Sequence, residues 1–182
     1  MSSPLSVKKN NYIKNPKRSD IETPLEIAEF IASLFDRDSV FDPCSGNGNL
    51  LKLFKERGYK IESCEIKSGC DFLKRKEKID AELIVCNPPF NLGVGKKLGS
   101  EVFLKKILEL WRKDAAIVLF VPMGFRLNQR KTSKRWRWLR DSCPPITSII
   151  SLPLDIFENV AFHSEILIFN APALKPHYFI PS

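Results

Sequence analysis

The stretch Val40-Phe41-Asp42-Pro43-Cys44-Ser45-Gly46-Asn47-Gly48-Asn49-Leu50-Leu51 decides the fold. Val40-Phe41 reads as the end of a strand. Gly46 and Gly48 let the backbone turn tightly and come close to a ligand. A helix from about Asn49 to Arg57 follows, with Gly58 suited to the position just past its end. Strand, glycine-rich turn and helix together form the building unit of nucleotide-binding α/β folds. Two common forms of that unit are excluded. A Gly-x-Gly-x-x-Gly pyrophosphate fingerprint would need glycine at 51, which is Leu, and no Gly-Lys-Ser/Thr of a Walker A loop follows.

A second landmark stands 45 residues after Asp42: Asn87-Pro88-Pro89-Phe90. It follows Ala81-Glu82-Leu83-Ile84-Val85-Cys86, an apolar run of strand length. Neither proline can donate to a ladder, so the strand stops there. The tetrapeptide therefore sits at the carboxyl end of a strand, where ligands bind in α/β folds. An exocyclic amine conjugated to a ring is a poor nucleophile, because its lone pair is delocalised. Two acceptors on its two N–H bonds push it toward a tetrahedral nitrogen. The Asn87 side-chain oxygen and the Pro88 carbonyl are two such acceptors, Pro88 and Pro89 hold the second still, and Phe90 can stack on a planar substrate. No titrating base is required.

The tetrapeptide resembles motif IV of the amino-methyltransferases that use S-adenosylmethionine (SAM), in the form typical of DNA adenine-N6 enzymes. Asp42-Pro43-Cys44-Ser45-Gly46-Asn47-Gly48 resembles motif I of the same family, with Asn47 where the family often has Thr or Ser. Glu22-Thr23-Pro24 resembles motif X, which borders the methionine end of SAM. Glu65, at the end of the second predicted strand, matches motif II, whose acid accepts the ribose hydroxyls. Asp71-Phe72 matches motif III, where Asp accepts from the adenine amine of SAM and Phe packs on its ring. The closing stretch, from Ile149 through Phe157 and Phe162 to Leu167, is similar to the final hairpin of adenine methyltransferases, including the modification subunits of type I restriction systems. The resemblance implies SAM as cofactor. The residues it assigns to SAM are Thr23, Pro24, Asp42, Pro43, Cys44, Gly46, Gly48, Glu65, Asp71, Phe72 and Asn87. It assigns Asn87, Pro88, Pro89 and Phe90 to catalysis.

Each motif also has a plainer role. Thr23-Pro24-Leu25-Glu26 reads as a capping box, with Thr23 at the N-cap and Pro24 at the first helical position. Ile27, Phe30, Ile31 and Leu34 then recur with helical period. Asp71 would serve equally as a cap, and Ser100 as the cap of a helix carrying Phe103, Leu104, Ile107, Leu108 and Trp111. Only five residues separate Glu65 from Asp71. A parallel crossover with its helix needs roughly 10–12. The third strand of the fold is therefore expected to be short or absent, giving a sheet order near 2-1-4-5-7-6. The fold class expected is α/β: a Rossmann-like SAM-dependent methyltransferase fold, a mostly parallel sheet with helices on both faces and a closing antiparallel hairpin.

A formal net charge of +8 favours a polyanionic partner. Arg126, Arg130, Lys131, Lys134, Arg135, Arg137 and Arg140 form a basic run with Trp136 and Trp138 interleaved and no acid between. Cations attract phosphates and indoles stack on bases. Arg126, Arg130, Lys131, Lys134, Arg135, Trp136 and Arg137 are thus the candidate nucleic-acid contacts, against the alternative of a solvated helix whose tryptophans pack on the core. The glycine- and lysine-bearing segment 91–99 reads as a substrate-gating loop or a plain linker. His163 is not assigned a catalytic role.

The chain of 182 residues fits one domain. Residues 1–20 form a basic tail, 21–170 the methyltransferase domain and 171–182 an extended tail. The five cysteines have no Cys-x-x-Cys spacing. They read as reduced thiols of a cytoplasmic protein, with no metal site. No stretch is long enough to span a bilayer. The expected partner is DNA, with RNA as an alternative substrate and no membrane. A protein glutamine amide is a weaker alternative. A homo-oligomer, or a non-catalytic subunit that works with a separate recognition subunit, stays open because no target-recognition domain follows within the chain.

Overall fold

The computed structural model describes residues 21–90, 92, 98–127, 129–157 and 162–180. A seven-stranded sheet runs through the middle: β1 (Ser39–Asp42), β2 (Lys60–Ser63), β3 (Leu83–Cys86), β4 (Ala116–Pro122), β5 (Ile146–Ser151), β6 (Ser164–Phe169) and β7 (His177–Phe179). Their order is β2-β1-β3-β4-β6-β5-β7. The first four lie parallel, with Val40 beside Leu83 and Leu83 beside Ala116. β6 runs antiparallel to both β4 and β5. This matches the expected order, with β3 as the fourth strand of the full pattern. Between β2 and β3 the chain makes two single 3-10 turns, Ile66–Ser68 and Phe72–Lys74, and no strand.

The strands alternate their apolar residues between two cores, as the period of two in a strand requires. On one face Val40, Leu83, Val85, Val118, Phe120, Ile166 and Ile168 pack with α1 (Leu25–Ser33) and with Phe54 of α2 (Lys52–Glu56). On the other, Phe41, Ile84, Cys86, Ile117, Leu119, Leu167 and Phe169 pack under α3 (Gly99–Leu110). The helix α4 (Lys134–Asp141) lies on this second face, and its Trp138 and Leu139 rest on that core. β3 and β4, flanked on both faces, are apolar throughout, as buried parallel strands are.

Several local expectations shift. The helix after the glycine turn opens as a 3-10 turn, Asn49–Leu51, before α2 begins, and Gly58 beyond it has φ +81°. α1 begins at Leu25, with Pro24 as its N-cap and no side-chain cap bond, so Thr23 does not cap it. Ser100 lies inside α3, whose N-cap is Leu98. Its hydroxyl donates instead to the Phe120 carbonyl at 3.1 Å and pins the helix to β4. The segment from Ala171 ends in a strand, since His177–Phe179 adds to the edge of β5. Cys64 and Cys70 are paired as a disulfide, whereas reduced thiols were expected. The turns between them fold back far enough to bring their Cα atoms within 5.0 Å, which spacing along the chain does not reveal. Among the described residues no helix is long and apolar enough to cross a membrane.

Candidate functional site

The carboxyl ends of β1, β2 and β3 open onto one cavity of about 460 Å³. Thr23, Asp42, Pro43, Cys44, Gly46, Glu65, Asp71, Phe72, Asn87 and Pro89 all line it. Thr23 and Asn87, 64 positions apart in the chain, are thereby brought together. Pro24, Gly48, Pro88 and Phe90 do not reach its wall among the lining residues. Gly48 acts through the backbone: its φ of +87° is the left-handed region that glycine occupies without strain, and its N–H closes a turn onto the Ser45 carbonyl at 2.7 Å.

The glycine turn is fastened to the end of β2. The Ser45 N–H donates to the Cys64 carbonyl at 3.0 Å, and the Gly46 N–H donates to Glu65 Oε2 at 2.7 Å. Glu65 Oε1 accepts from the Lys67 N–H at 3.0 Å. Each carboxylate oxygen carries a second lone pair, so both remain able to accept from a ligand diol. Asp71 caps its 3-10 turn by accepting from the Leu73 N–H at 3.1 Å and pairs with Lys74, while still lining the cavity. Phe72 lines the cavity and also packs into the core. It is buried, stacked on Phe103 and tilted against Phe41, so its ring belongs mainly to the core. Ile66, 69% exposed and lining the cavity directly after Glu65, offers further apolar surface.

Asp42 is fully enclosed at the end of β1. Burial pushes its carboxyl up to about 7, partly offset by the Cys44 N–H bonded to it at 2.9 Å, and the nearby Glu65 charge pushes the same way as burial. Burial also raises the Cys44 and Cys86 thiols, whose sulfurs lie 3.7 Å apart, so both stay protonated at neutral pH.

Asn87 stands at the end of β3, and its Nδ2 donates to Thr23 Oγ1 at 3.0 Å. The Thr23 backbone carbonyl accepts in turn from Asn49 Nδ2 at 2.8 Å. Among the described residues no donor reaches Asn87 Oδ1. Two contributors escaped the sequence reading. Asn49 was visible only as the start of a helix. Gly99, first residue of α3, donates its N–H to the Phe90 carbonyl at 3.0 Å, and a β-carbon there would overlap the Pro89 carbonyl oxygen. No local signal marks either one, because both partners are distant in sequence. Phe90 meets Phe162 edge-on at 5.2 Å, and Phe162 stacks on Phe157 at 5.2 Å, giving an aromatic group beside Asn87.

The basic run lies further along, after β4, and its residues differ among themselves. Arg126 pairs with Glu165 at 2.8 Å and Arg135 with Glu101 at 2.8 Å. Burial alone would raise the Glu101 carboxyl, but its hydrogen bonds to Lys105 and Arg135 hold it below the usual range. Arg140 pairs with Asp141. Arg130, Lys131, Lys134 and Arg137 are exposed, with no ion-pair partner among the described residues. The tryptophans divide as well. Trp138 rests on the core with the Lys105 ammonium 4.6 Å from its ring, whereas Trp136 is 40% exposed. Most of the expected gating loop (91 and 93–97), the tail 1–20 and residues 158–161 lie outside the described residues.

No family model and no curated protein matches the chain by sequence. Solved structures do match by shape. The type IIG restriction endonuclease BpuSI superimposes with a TM-score of 0.66 at 17% identity, over 82% of this chain and 25% of that one. The methyltransferase subunit of a type I restriction-modification system from Streptococcus thermophilus gives 0.58 at 17% identity, over 88% of this chain and 47% of that one. A TehB-like SAM-dependent methyltransferase from Corynebacterium glutamicum gives 0.54 at 14% identity, over 85% and 98%. The chain thus spans about half the length of the restriction-system subunit. At these identities the likeness establishes the fold, which is the Rossmann-like fold of SAM-dependent methyltransferases.

Proposed function

We propose that this chain is a SAM-dependent methyltransferase that acts on the exocyclic N6 amine of adenine in DNA. The observation that carries the reading is the placement of Asn87 and Pro89 on the wall of the cavity, just past the end of β3, with no donor on Asn87 Oδ1 among the described residues. The cavity fits the cofactor chemically. Glu22, Glu65 and Asp71 line it, with Lys67 the one cation among the described lining residues, which suits a ligand with a positive sulfonium. Glu65 would accept the ribose hydroxyls and Asp71 the purine amine. Ile66 would cover the purine face. SAM bound there would supply an electrophilic methyl group.

The chain's own residues would supply geometry. Asn87 Oδ1 and the Pro88 carbonyl would each accept one N–H of the target amine and turn its lone pair toward the cavity. Pro88 and Pro89 restrict the backbone that holds the second acceptor. Most of the rate gain would come from holding two reactants in line, which is worth several kcal/mol in well-oriented systems. Phe90, braced by Phe162, would stack on the target base, which must leave a duplex to reach Asn87. Arg130, Lys131, Lys134 and Arg137 would hold the phosphates, with Trp136 beside them.

A second reading, a subunit that depends on a partner for target recognition, is favoured by the likeness to a type I restriction-modification methyltransferase subunit. The test is incubation with radiolabelled SAM and DNA or RNA, then digestion and identification of the labelled nucleoside. Labelled N6-methyladenosine from RNA alone would move the substrate. Absence of label in any nucleoside, with SAM bound, would favour the partner-dependent subunit.

A further inference from the structure

A carboxamide has two edges of nearly equal shape and opposite hydrogen-bonding character: oxygen accepts and nitrogen donates. Only one of them can assist an amine that must itself donate. With the nitrogen edge of Asn87 turned to the target, donor would face donor. A neighbour that engages the nitrogen edge leaves the oxygen edge to face the target. The hydroxyl that would ordinarily cap α1 is at hand, yet α1 starts on Pro24 without a side-chain cap. Thr23 Oγ1 accepts from Asn87 Nδ2 at 3.0 Å instead. Thr23 is itself 5% exposed, so water cannot readily replace it. Its backbone is held by the Asn49 amide at 2.8 Å, and Asn49 opens the helix that follows the glycine turn. Three distant segments thus converge on one side-chain orientation.

We infer that Thr23 is a positioning residue that fixes the Asn87 carboxamide with its oxygen toward the target amine. The inference rests on the proposed role of Asn87. Thr23 acts through Asn87 and need not touch the substrate. Thr23→Val keeps the shape of the side chain and removes the acceptor, whereas Thr23→Ser keeps the acceptor. With saturating SAM and adenine-containing DNA, Thr23→Val should lower kcat about tenfold, the effect of one neutral hydrogen bond. Thr23→Ser should recover most of the turnover that Thr23→Val loses, and in Thr23→Val the fall in kcat at saturating SAM should exceed any loss of SAM affinity.

Equal turnover of Thr23→Val and the parent overturns the inference. So does a loss of SAM affinity that matches the loss of kcat, which would make Thr23 a cofactor contact. A second measurement does not depend on activity. The Asn87 side-chain N–H signals can be assigned by their absence in Asn87→Asp, and their exchange with solvent compared. Protection in the parent and Thr23→Ser but not in Thr23→Val supports the inference. Equal exchange in all three overturns it. A parent protein that methylates neither DNA nor RNA counts against the proposed function, and the exchange data then decide the positioning role alone.

Discussion

In the cleft, Gly46, Asn49 and Asn87 are each held by a hydrogen bond of 3.0 Å or less; on α4 and the segment before it, Arg130, Lys131 and Lys134 extend into solvent without an ion-pair partner among the described residues. α4 is attached to the body through Trp138 and Leu139 on the core and Arg135 on Glu101. On the proposed function the two regions meet different demands. Methyl transfer requires atoms in line within a fraction of an ångström, and only buried, satisfied groups hold that. Attraction of a polyanion requires charge at a distance, for which mobile side chains suffice. A region's hydrogen bonding thus reports which task it can perform.

The largest break in this contrast should come from Asn87→Ala. Methyl transfer is expected to fall by about 10²–10³-fold, as for other preorganised polar groups at reacting centres, while calorimetric SAM affinity changes by no more than a few fold. A variant that keeps its turnover would remove Asn87 from the chemistry.

Asp42 tests how deeply the cleft is enclosed. Its folded pKa of about 7 lies above the 3.8 of the free group, because burial disfavours the anion. Between about pH 4 and 7 the folded chain keeps a proton that the unfolded chain releases, so stability falls as pH rises through that window. Below it the destabilisation vanishes, and above it the full effect is on the order of 4 kcal/mol. Asp42→Asn should therefore be the more stable protein at pH 8 and show a flatter stability profile from pH 5 to 8 by denaturant titration. Parallel profiles for the two proteins would contradict this account.

The tryptophans give a contrast within one helix. Trp138→Ala should cost about 3 kcal/mol of unfolding free energy, at the low end for a partly buried indole. Trp136→Ala should leave stability within about 0.5 kcal/mol, as exposed positions do, and weaken DNA binding. Similar melting of the two variants would place both indoles in the same environment.

The smallest effects per residue belong to the free cations. Replacing Arg130, Lys131, Lys134 and Arg137 with Ala should reduce the log–log salt slope of duplex binding by about 0.9 per lost phosphate contact. SAM affinity should not move. Arg135→Ala should act mainly through stability, since it leaves Glu101 with Lys105 alone. An unchanged slope in the fourfold variant would mark this surface as solvated only and turn attention to the lysines of residues 1–20.

The backbone plan was legible from local features. Glycines at 46 and 48, prolines at 88 and 89 and the five-residue gap from Glu65 to Asp71 act on their own neighbourhoods through sterics and chain length. From them followed the turn, the end of β3, the missing third strand and the order of the sheet. Most of the cleft residues were legible for the same reason, as they sit at strand ends. What a side chain then did with its polar atoms was decided only in space. The Thr23 hydroxyl had a cap within reach along the chain and an amide 64 residues away, and the folded packing gave it the amide. Arg126 and Arg135 looked like their neighbours in the basic run until Glu165 and Glu101 came beside them. Local sequence sets backbone dihedrals, because those depend on adjacent atoms. Hydrogen bonds and ion pairs choose among all groups that the fold brings within about 3 Å, and that set does not exist until the chain has folded.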